Sequence, residues 1–296
     1  MNSKLGRLLC AGIVVLGLDF AAEANTLPVA AGLVAQFQAN DATVARGGAG
    51  EVTSWTAAND NSIVLTTSGT AASATNISYN ATGMNGLPTI EVNDFFVDGT
   101  HDNLFMQGPI LGGGGPLTSA TIFWVGYFHP GRNGSLTDSS GQYAYSMNAD
   151  GPSGSQFDNQ IDDGFFELYT GSGTQRFDDI SAHNGVYGIF RTEFHADGEH
   201  AGYRNGSTIT GGKVADSPSY SVADDLILFG YQNSSGTSGG FNFVGNMSEL
   251  IIYDRILDSG EVAEVERYLG SRIPEPSTVV IAVAALVGCG GLRRRK

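Results

Sequence analysis

Cysteine is nearly absent from this 296-residue chain. Its two cysteines, Cys10 and Cys289, both fall in short apolar segments at the ends. The body between them therefore has no disulfide, no thiolate metal site and no thiol nucleophile. A body of roughly 250 residues can bury enough surface to stand without such staples. Basic residues are scarce as well. Between Asn25 and Pro276 there are 28 Asp and Glu against nine Lys and Arg, a net charge of −19. A body this acidic repels phosphate backbones and anionic lipid, which argues against nucleic acid as a partner. It suits uncharged sugars or divalent cations, and acidity also keeps an exported protein soluble. Long apolar runs are missing too: neither end segment reaches the roughly 20 residues that a permanent membrane helix usually needs.

The ends nevertheless carry patterns. Lys4 and Arg7 precede the apolar run Leu8 to Leu18, and Ala22-Glu23-Ala24 follows. That order predicts an export signal over residues 1–24, with Ala22 and Ala24 as the small residues of a cleavage site after Ala24. At the other end stand Pro274-Glu275-Pro276, the apolar stretch Thr278 to Leu292, and the cluster Arg293, Arg294, Arg295 and Lys296. Fifteen residues at 1.5 Å rise span about 22 Å of a roughly 30 Å hydrocarbon core, as suits a transient anchor. The four cations hold its end on the cytoplasmic side. A permanent single-span anchor is the alternative, tolerable with bilayer thinning. Tripeptide, short apolar helix and basic end, in that order over 274–296, resemble the bacterial PEP-CTERM sorting signal. The resemblance implies that the inner membrane holds the tail, that an exosortase recognises it at the tripeptide, and that the product goes to the cell surface or extracellular polysaccharide.

Between the ends, 42 glycines raise the question of disorder, but aromatics make up 10% of the chain, and disordered segments are depleted in them. The glycines read as turn punctuation. Apolar and polar residues alternate at strand spacing in Gly32–Phe37, Val52–Trp55, Thr89–Val92, Tyr143–Met147, Phe165–Tyr169, Gly185–Glu193, Ala201–Arg204, Leu226–Tyr231 and Ser248–Tyr253. Thr121–Phe128 is nearly continuous in apolar residues, as in a strand buried on both faces. Asn205-Gly206 is a strong hairpin cue. One helix is predicted over Asp258–Gly270. Asp258 or Ser259 caps it, Val262, Val265 and Leu269 form its apolar face, and Gly270 stops it, so that it packs on the sandwich edge. Many short strands and little helix predict an all-β, two-sheet antiparallel sandwich.

Three passages sharpen this. They are Asn85-Gly86-Leu87-Pro88-Thr89-Ile90 with the following Asp98-Gly99-Thr100-His101-Asp102-Asn103-Leu104 and the strand ending at Phe128, the Tyr203-Arg204-Asn205-Gly206 turn, and Phe243 to Leu257 with its Gly245, Glu249, Tyr253, Arg255 and Leu257. Together they resemble the laminin G-like or concanavalin A-like jelly roll, over about residues 33–273. The resemblance implies one such domain at 25–273. Its members bind glycans, bind proteins or act on polysaccharides, and the fold does not choose among these.

Retaining glycosidases on that fold carry their carboxylates on one strand as E-x-D-x-x-E or E-x-D-x-E, about 5 Å apart. No such run exists here, and Glu91 and Asp94 are offset by three residues, on opposite faces of a strand. No catalytic residue is assigned, and a non-enzymatic role is expected. Calcium needs six to eight oxygens; Asp98 with Asp102 and Asn103 is one candidate cluster, and Asp158, Asn159, Asp162 and Asp163, in a Gly-rich stretch, form another, with Asp178 and Asp179 beyond. Solvated loop acid is the plainer reading of each. His101, His129, His183, His195 and His200 lack zinc spacing and read as surface or turn residues. Phe95, Phe96, Tyr220 and Tyr231 are candidate sugar-stacking aromatics. Asn76, Asn80, Asn133, Asn205, Asn233 and Asn246 head N-x-S/T sequons, most of which turn chemistry explains. The expected function is an exported surface or matrix protein whose jelly roll binds polysaccharide or another surface component. The competing expectations are a polysaccharide-cleaving enzyme and a structural matrix component with no specific ligand.

Overall fold

The computed structural model describes residues 26–68, 77–84, 86–93, 104–111, 117–128, 142–148, 156–162, 165–169, 174–179, 186–197, 200–209, 225–232, 238–239 and 243–273. The strands are β1 (Leu33–Gln38), β2 (Val44–Arg46), β3 (Val52–Thr56), β4 (Val64–Ser68), β5 (Ile77–Met84), β6 (Leu87–Asn93), β7 (Phe105–Pro109), β8 (Ala120–Phe128), β9 (Gln142–Asn148) and β10 (Gln156–Asp162). They continue with β11 (Phe165–Tyr169), β12 (Thr174–Asp179), β13 (Gly188–Phe194), β14 (Ala201–Arg204), β15 (Ser207–Thr208), β16 (Asp225–Leu228), β17 (Tyr231–Gln232), β18 (Ser238–Gly239) and β19 (Val244–Tyr253). Helix α1 (Ser259–Arg272) closes the series.

Two large antiparallel sheets result. One runs β15-β14-β13-β8-β19-β6-β5, with β1 also on β19, and the other runs β12-β11-β10-β9-β16-β7-β4-β3-β2. The architecture is a two-layer antiparallel sandwich with one helix, consistent with a jelly roll. The sequence explains the centre. In β8, Ile122, Trp124 and Phe128 point into the core between the sheets, while Phe123 and Val125 point the other way into a second buried cluster. The near-continuous apolar run is therefore needed, because both faces are covered. Trp124 stacks on Phe190 at 4.1 Å and meets Phe128 edge-on at 5.0 Å. Two polar contacts cross between the sheets: Trp55 Nε1 donates to Gln38 O at 2.9 Å, and the Tyr145 hydroxyl pairs with that of Thr192.

β19 organises the eight-stranded sheet. β8 flanks it along one side. The β8 pairing shifts register between Met247 and Glu249; on the other side the first half of β19 pairs β6 and its second half pairs β1. At Gly126 the neighbouring strand is so close that a Cβ would lie 1.9 Å from Asn246 O; only glycine fits.

The predicted hairpin is present between β14 and β15. Asn205 and Gly206 take φ 49° and 75°, and Asn205 Oδ1 accepts from Ile189 N at 2.8 Å. Helix α1 starts as the sequence implied, with Asp258 as N-cap and Glu261 completing a capping box. Two details differ. The helix lies over the face of the eight-stranded sheet rather than its edge, burying Val265, Tyr268 and Leu269 with Phe123, Ile251 and Tyr253. It also runs past Gly270 to Arg272, stopping where Ile273 turns extended (φ −86°, ψ 106°), the conformation favoured before Pro274. The predicted strand Leu226–Tyr231 is likewise broken: Phe229 takes φ 66°, and its fully buried ring lies 5.5 Å from Phe243.

Candidate functional site

Side chains alternate along a strand, so the inward Ile90, Val92, Met247 and Phe128 leave Glu91, Asn246 and Tyr127 on the face of the eight-stranded sheet turned away from the core. The register sets Ser78, Glu91, Asn246 and Tyr127 in one row across β5, β6, β19 and β8. Tyr187 stands beside Tyr127, one residue before the Gly188–Gly126 pair. Glu91 Oε1 accepts from Asn80 Nδ2 at 2.7 Å and from Asn246 Nδ2 at 3.2 Å. Asn246 Nδ2 also donates to Tyr187 Oη at 3.3 Å, and that hydroxyl donates to Gly83 O at 2.9 Å. The Tyr127 and Tyr187 rings meet edge to face, 4.7 Å apart at 89°.

Both rings are half-buried. Burial, helped by Tyr127 and Glu91, pushes the Tyr187 phenol up to about 12; burial and Glu91 raise Tyr127 as well. Both stay protonated at neutral pH. The patch thus offers two phenol rings, one carboxylate and two carboxamides on a rigid sheet face. Such a set can stack against a sugar ring and hydrogen-bond its hydroxyls.

A second polar cluster lies on the same sheet face, between α1 and the β14 edge. Arg191 reaches Glu193 and Glu266, each at 3.3 Å, and its guanidinium lies 3.6 Å over the Tyr203 ring. Tyr203 Oη donates to Glu193 Oε2 at 3.3 Å, and His195 Nε2 is 3.6 Å from the same oxygen. Burial raises Glu266 above the usual carboxylate range, with Arg191 opposing.

A third cluster is fully enclosed beneath α1. Glu249, 2% exposed, accepts at Oε1 from Gln36, Gln38 and Tyr268, and its Oε2 lies 3.2 Å from Arg272 Nε. The other marked residues of the closing passage are also ties. Tyr253 Oη donates to Val29 O at 3.0 Å, Arg255 grips Glu261 with two bonds, and Leu257 N donates to Thr121 Oγ1 at 3.1 Å. These residues hold the helix and the segment before β1 on the sheet.

The sequence-predicted candidates fare unevenly. Asp98, Asp102, Asn103 and Asp163 lie outside the described residues, as do Asp94, Phe95, Phe96, Tyr220, His101, His129 and His183, and the sequons at Asn76, Asn133 and Asn233. Asp158, Asn159 and Asp162 do not sit in a loop: they are strand positions of β10, the first two paired with both β9 and β11 and Asp162 with β11. Among the described residues no group of three or more His, Cys, Asp or Glu is arranged to hold a metal. His200 is not a surface residue but 1% exposed, 5.4 Å from the Phe194 ring. Asn80 and Asn246 lie in strands with their amides on Glu91, and Asn80 Oδ1 also accepts from Thr82 N at 3.0 Å. Residues 1–25 and 274–296, which carry Ala22, Ala24, Pro274, Glu275, Pro276, Arg293, Arg294 and Arg295, are outside the described residues. Among those described, no helix is long and apolar enough to cross a membrane. Tyr127 and Tyr187 were invisible as a pair because only strand pairing unites them; the one signal was a tyrosine interrupting the apolar run of β8.

No family model matches the chain, and no curated protein matches it in sequence. Solved structures do share its fold. A Trypanosoma rangeli sialidase in complex with sialic acid superposes with TM-score 0.55 at 11% identity, over 81% of this chain and 33% of that one. The binding domain of botulinum neurotoxin DC in complex with SialylT gives 0.51 at 12%, over 80% and 51%. The botulinum neurotoxin serotype G binding domain gives 0.51 at 12%, over 81% and 51%. The chain spans about a third of the sialidase and about half of the toxin domains. These neighbours support a β-sandwich and correct one expectation: the non-enzymatic role read from the missing carboxylate run does not stand, since sialidases are among the structures that share the fold, together with binding domains.

Proposed function

We propose that this chain is a glycan-recognising β-sandwich whose contact surface is the Tyr127–Tyr187 patch. The observation that carries the reading is the pair of half-buried phenol rings set edge to face beside Glu91 and two asparagine amides. The sialic acid and SialylT complexes of the neighbours support a carbohydrate partner. The residue patterns at 1–24 and 274–296 support delivery outside the cytoplasm by an export signal and an exosortase-processed tail, and the acidic body suits an exterior setting. The test is a glycan array probed with the full chain and with Tyr127→Ala. Loss of one aromatic contact should weaken binding about tenfold, the equivalent of about 1.4 kcal/mol. Equal binding by parent and variant removes the patch from consideration.

A second reading, cleavage of glycans, has its own observation: Glu193 and Glu266 bracket Arg191, with Tyr203 in hydrogen-bond reach of Glu193. Two carboxyl groups near one point are what glycoside hydrolysis uses. Release of reducing ends from mixed polysaccharides by the parent, abolished in Glu193→Gln and Glu266→Gln, is its signature; no release by the parent ends it.

A further inference from the structure

Resting on the glycan reading of the Tyr127–Tyr187 patch, we infer that the site selects glycans without negative charge and rejects sialylated ones, unlike the ligands named with its structural neighbours. The argument is electrostatic complementarity at named atoms. Among the described residues, Glu91 is the charged residue that acts on both phenols. Its carboxylate sits in the same row as Asn246 and Tyr127, so a sugar ring over the tyrosines lies beside a fixed anion.

The amide donors beside Glu91 and the Tyr187 hydroxyl are already engaged. Asn80 and Asn246 both aim Nδ2 at Glu91 Oε1, and the Tyr187 hydroxyl donates to Gly83 O. Among the described residues, four arginines are held elsewhere: Arg191 between Glu193 and Glu266, Arg255 on Glu261, Arg272 on Glu249 and Arg46 on Asp41. Arg204 bonds Val186 O and lies over the Phe190 ring, on the opposite face of β13 from Tyr187. What the patch presents is acceptor capacity at Glu91, which pairs with sugar hydroxyls or an amino sugar's ammonium. A net charge of −19 over the body adds long-range repulsion of anionic glycans.

The experiment is binding of the full chain to an array of neutral oligosaccharides of several backbones, each printed with and without a terminal sialic acid. The uncapped forms should bind at least about tenfold better than their capped partners. That gap should shrink to under about threefold in Glu91→Gln, and in the parent at about 1 M salt, where the screening length is about 3 Å. The salt arm stands on its own if the variant fails to fold. Capped forms binding as well as uncapped, with both lost in Tyr127→Ala, overturns the selectivity and leaves the glycan site standing. A gap that persists unchanged in Glu91→Gln and at high salt overturns the role of Glu91. No binding by either form overturns the glycan reading itself.

Discussion

Tyr268 Oη and Glu249 Oε1 lie 3.0 Å apart beneath helix α1, joining the last helix to the central strand of the sheet. Gln38 Nε2 donates to the same hydroxyl at 2.7 Å and Arg272 to it at 2.9 Å. A buried carboxylate costs several kcal/mol in lost hydration, so it persists only with a full set of donors. Here the donors come from β1 and α1, which ties both to β19. Glu249→Leu leaves Arg272 and two glutamine amides without their acceptor and should destabilise by about 3–5 kcal/mol. Tyr268→Phe should cost about 1–3 kcal/mol. Urea unfolding of both variants measures this, and losses within about 0.5 kcal/mol would mean the cluster is incidental.

The same carboxylate sets a pH dependence. Burial raises Glu249 above its ordinary value of 4.5, against the opposing pull of Arg272 and the bonds from Gln36, Tyr268 and Gln38. A folded-state value above the unfolded one means the native protein holds the proton longer. Its contribution is therefore complete below about pH 4.5 and declines as pH rises through the raised value. Glu261 works in the opposite sense: bonds from Arg255 and the Asp258 amide hold it at about 2, so its contribution is lost as pH falls from about 4.5 toward 2. Glu266 is also raised, so the Glu249 effect is read as a difference between proteins. The melting temperature of Glu249→Gln minus that of the parent should grow more positive from pH 4.5 to 7.5. A flat difference contradicts the assignment.

Two glycines separate packing from propensity. Gly126→Ala drives a methyl group into the Asn246 backbone oxygen, between the strands that carry the patch, and should cost at least about 1–3 kcal/mol. Gly270 sits exposed inside α1 with open space about it. Gly270→Ala should stabilise by roughly 0.5–1 kcal/mol, because alanine loses less backbone freedom in a helix. Thermal unfolding of the two variants should move in opposite directions.

Much of the sandwich was legible in the sequence. The unbroken apolar run of β8, the alternation in β1 and β9, Asn205-Gly206 and Asp258 with Glu261 each encode their structure locally. β5 was not legible: Ile77-Ser78-Tyr79-Asn80-Ala81-Thr82-Gly83-Met84 is polar over most of its length, since it lies at a sheet edge and buries little beyond its ends. β10 was read as a loop because Asp158, Asn159 and Asp162 look like turn residues, and pairing on both sides overrides that preference. The candidate site was the least legible. Glu91 weighed as half of a catalytic pair and Asn246 as a sequon, and only the register of four strands makes them neighbours. Glu249, Tyr253 and Arg255 stood out as a pattern, but their work as ties depends on α1 folding back over the sheet.

The most direct measurement is a crystal structure of the chain with the best-binding neutral oligosaccharide from the array. The account predicts a sugar ring against Tyr127 and Tyr187 with a hydroxyl within about 3.2 Å of the Glu91 carboxylate. A sugar seated instead on the nine-stranded sheet, with the Tyr127 patch bare, would contradict it.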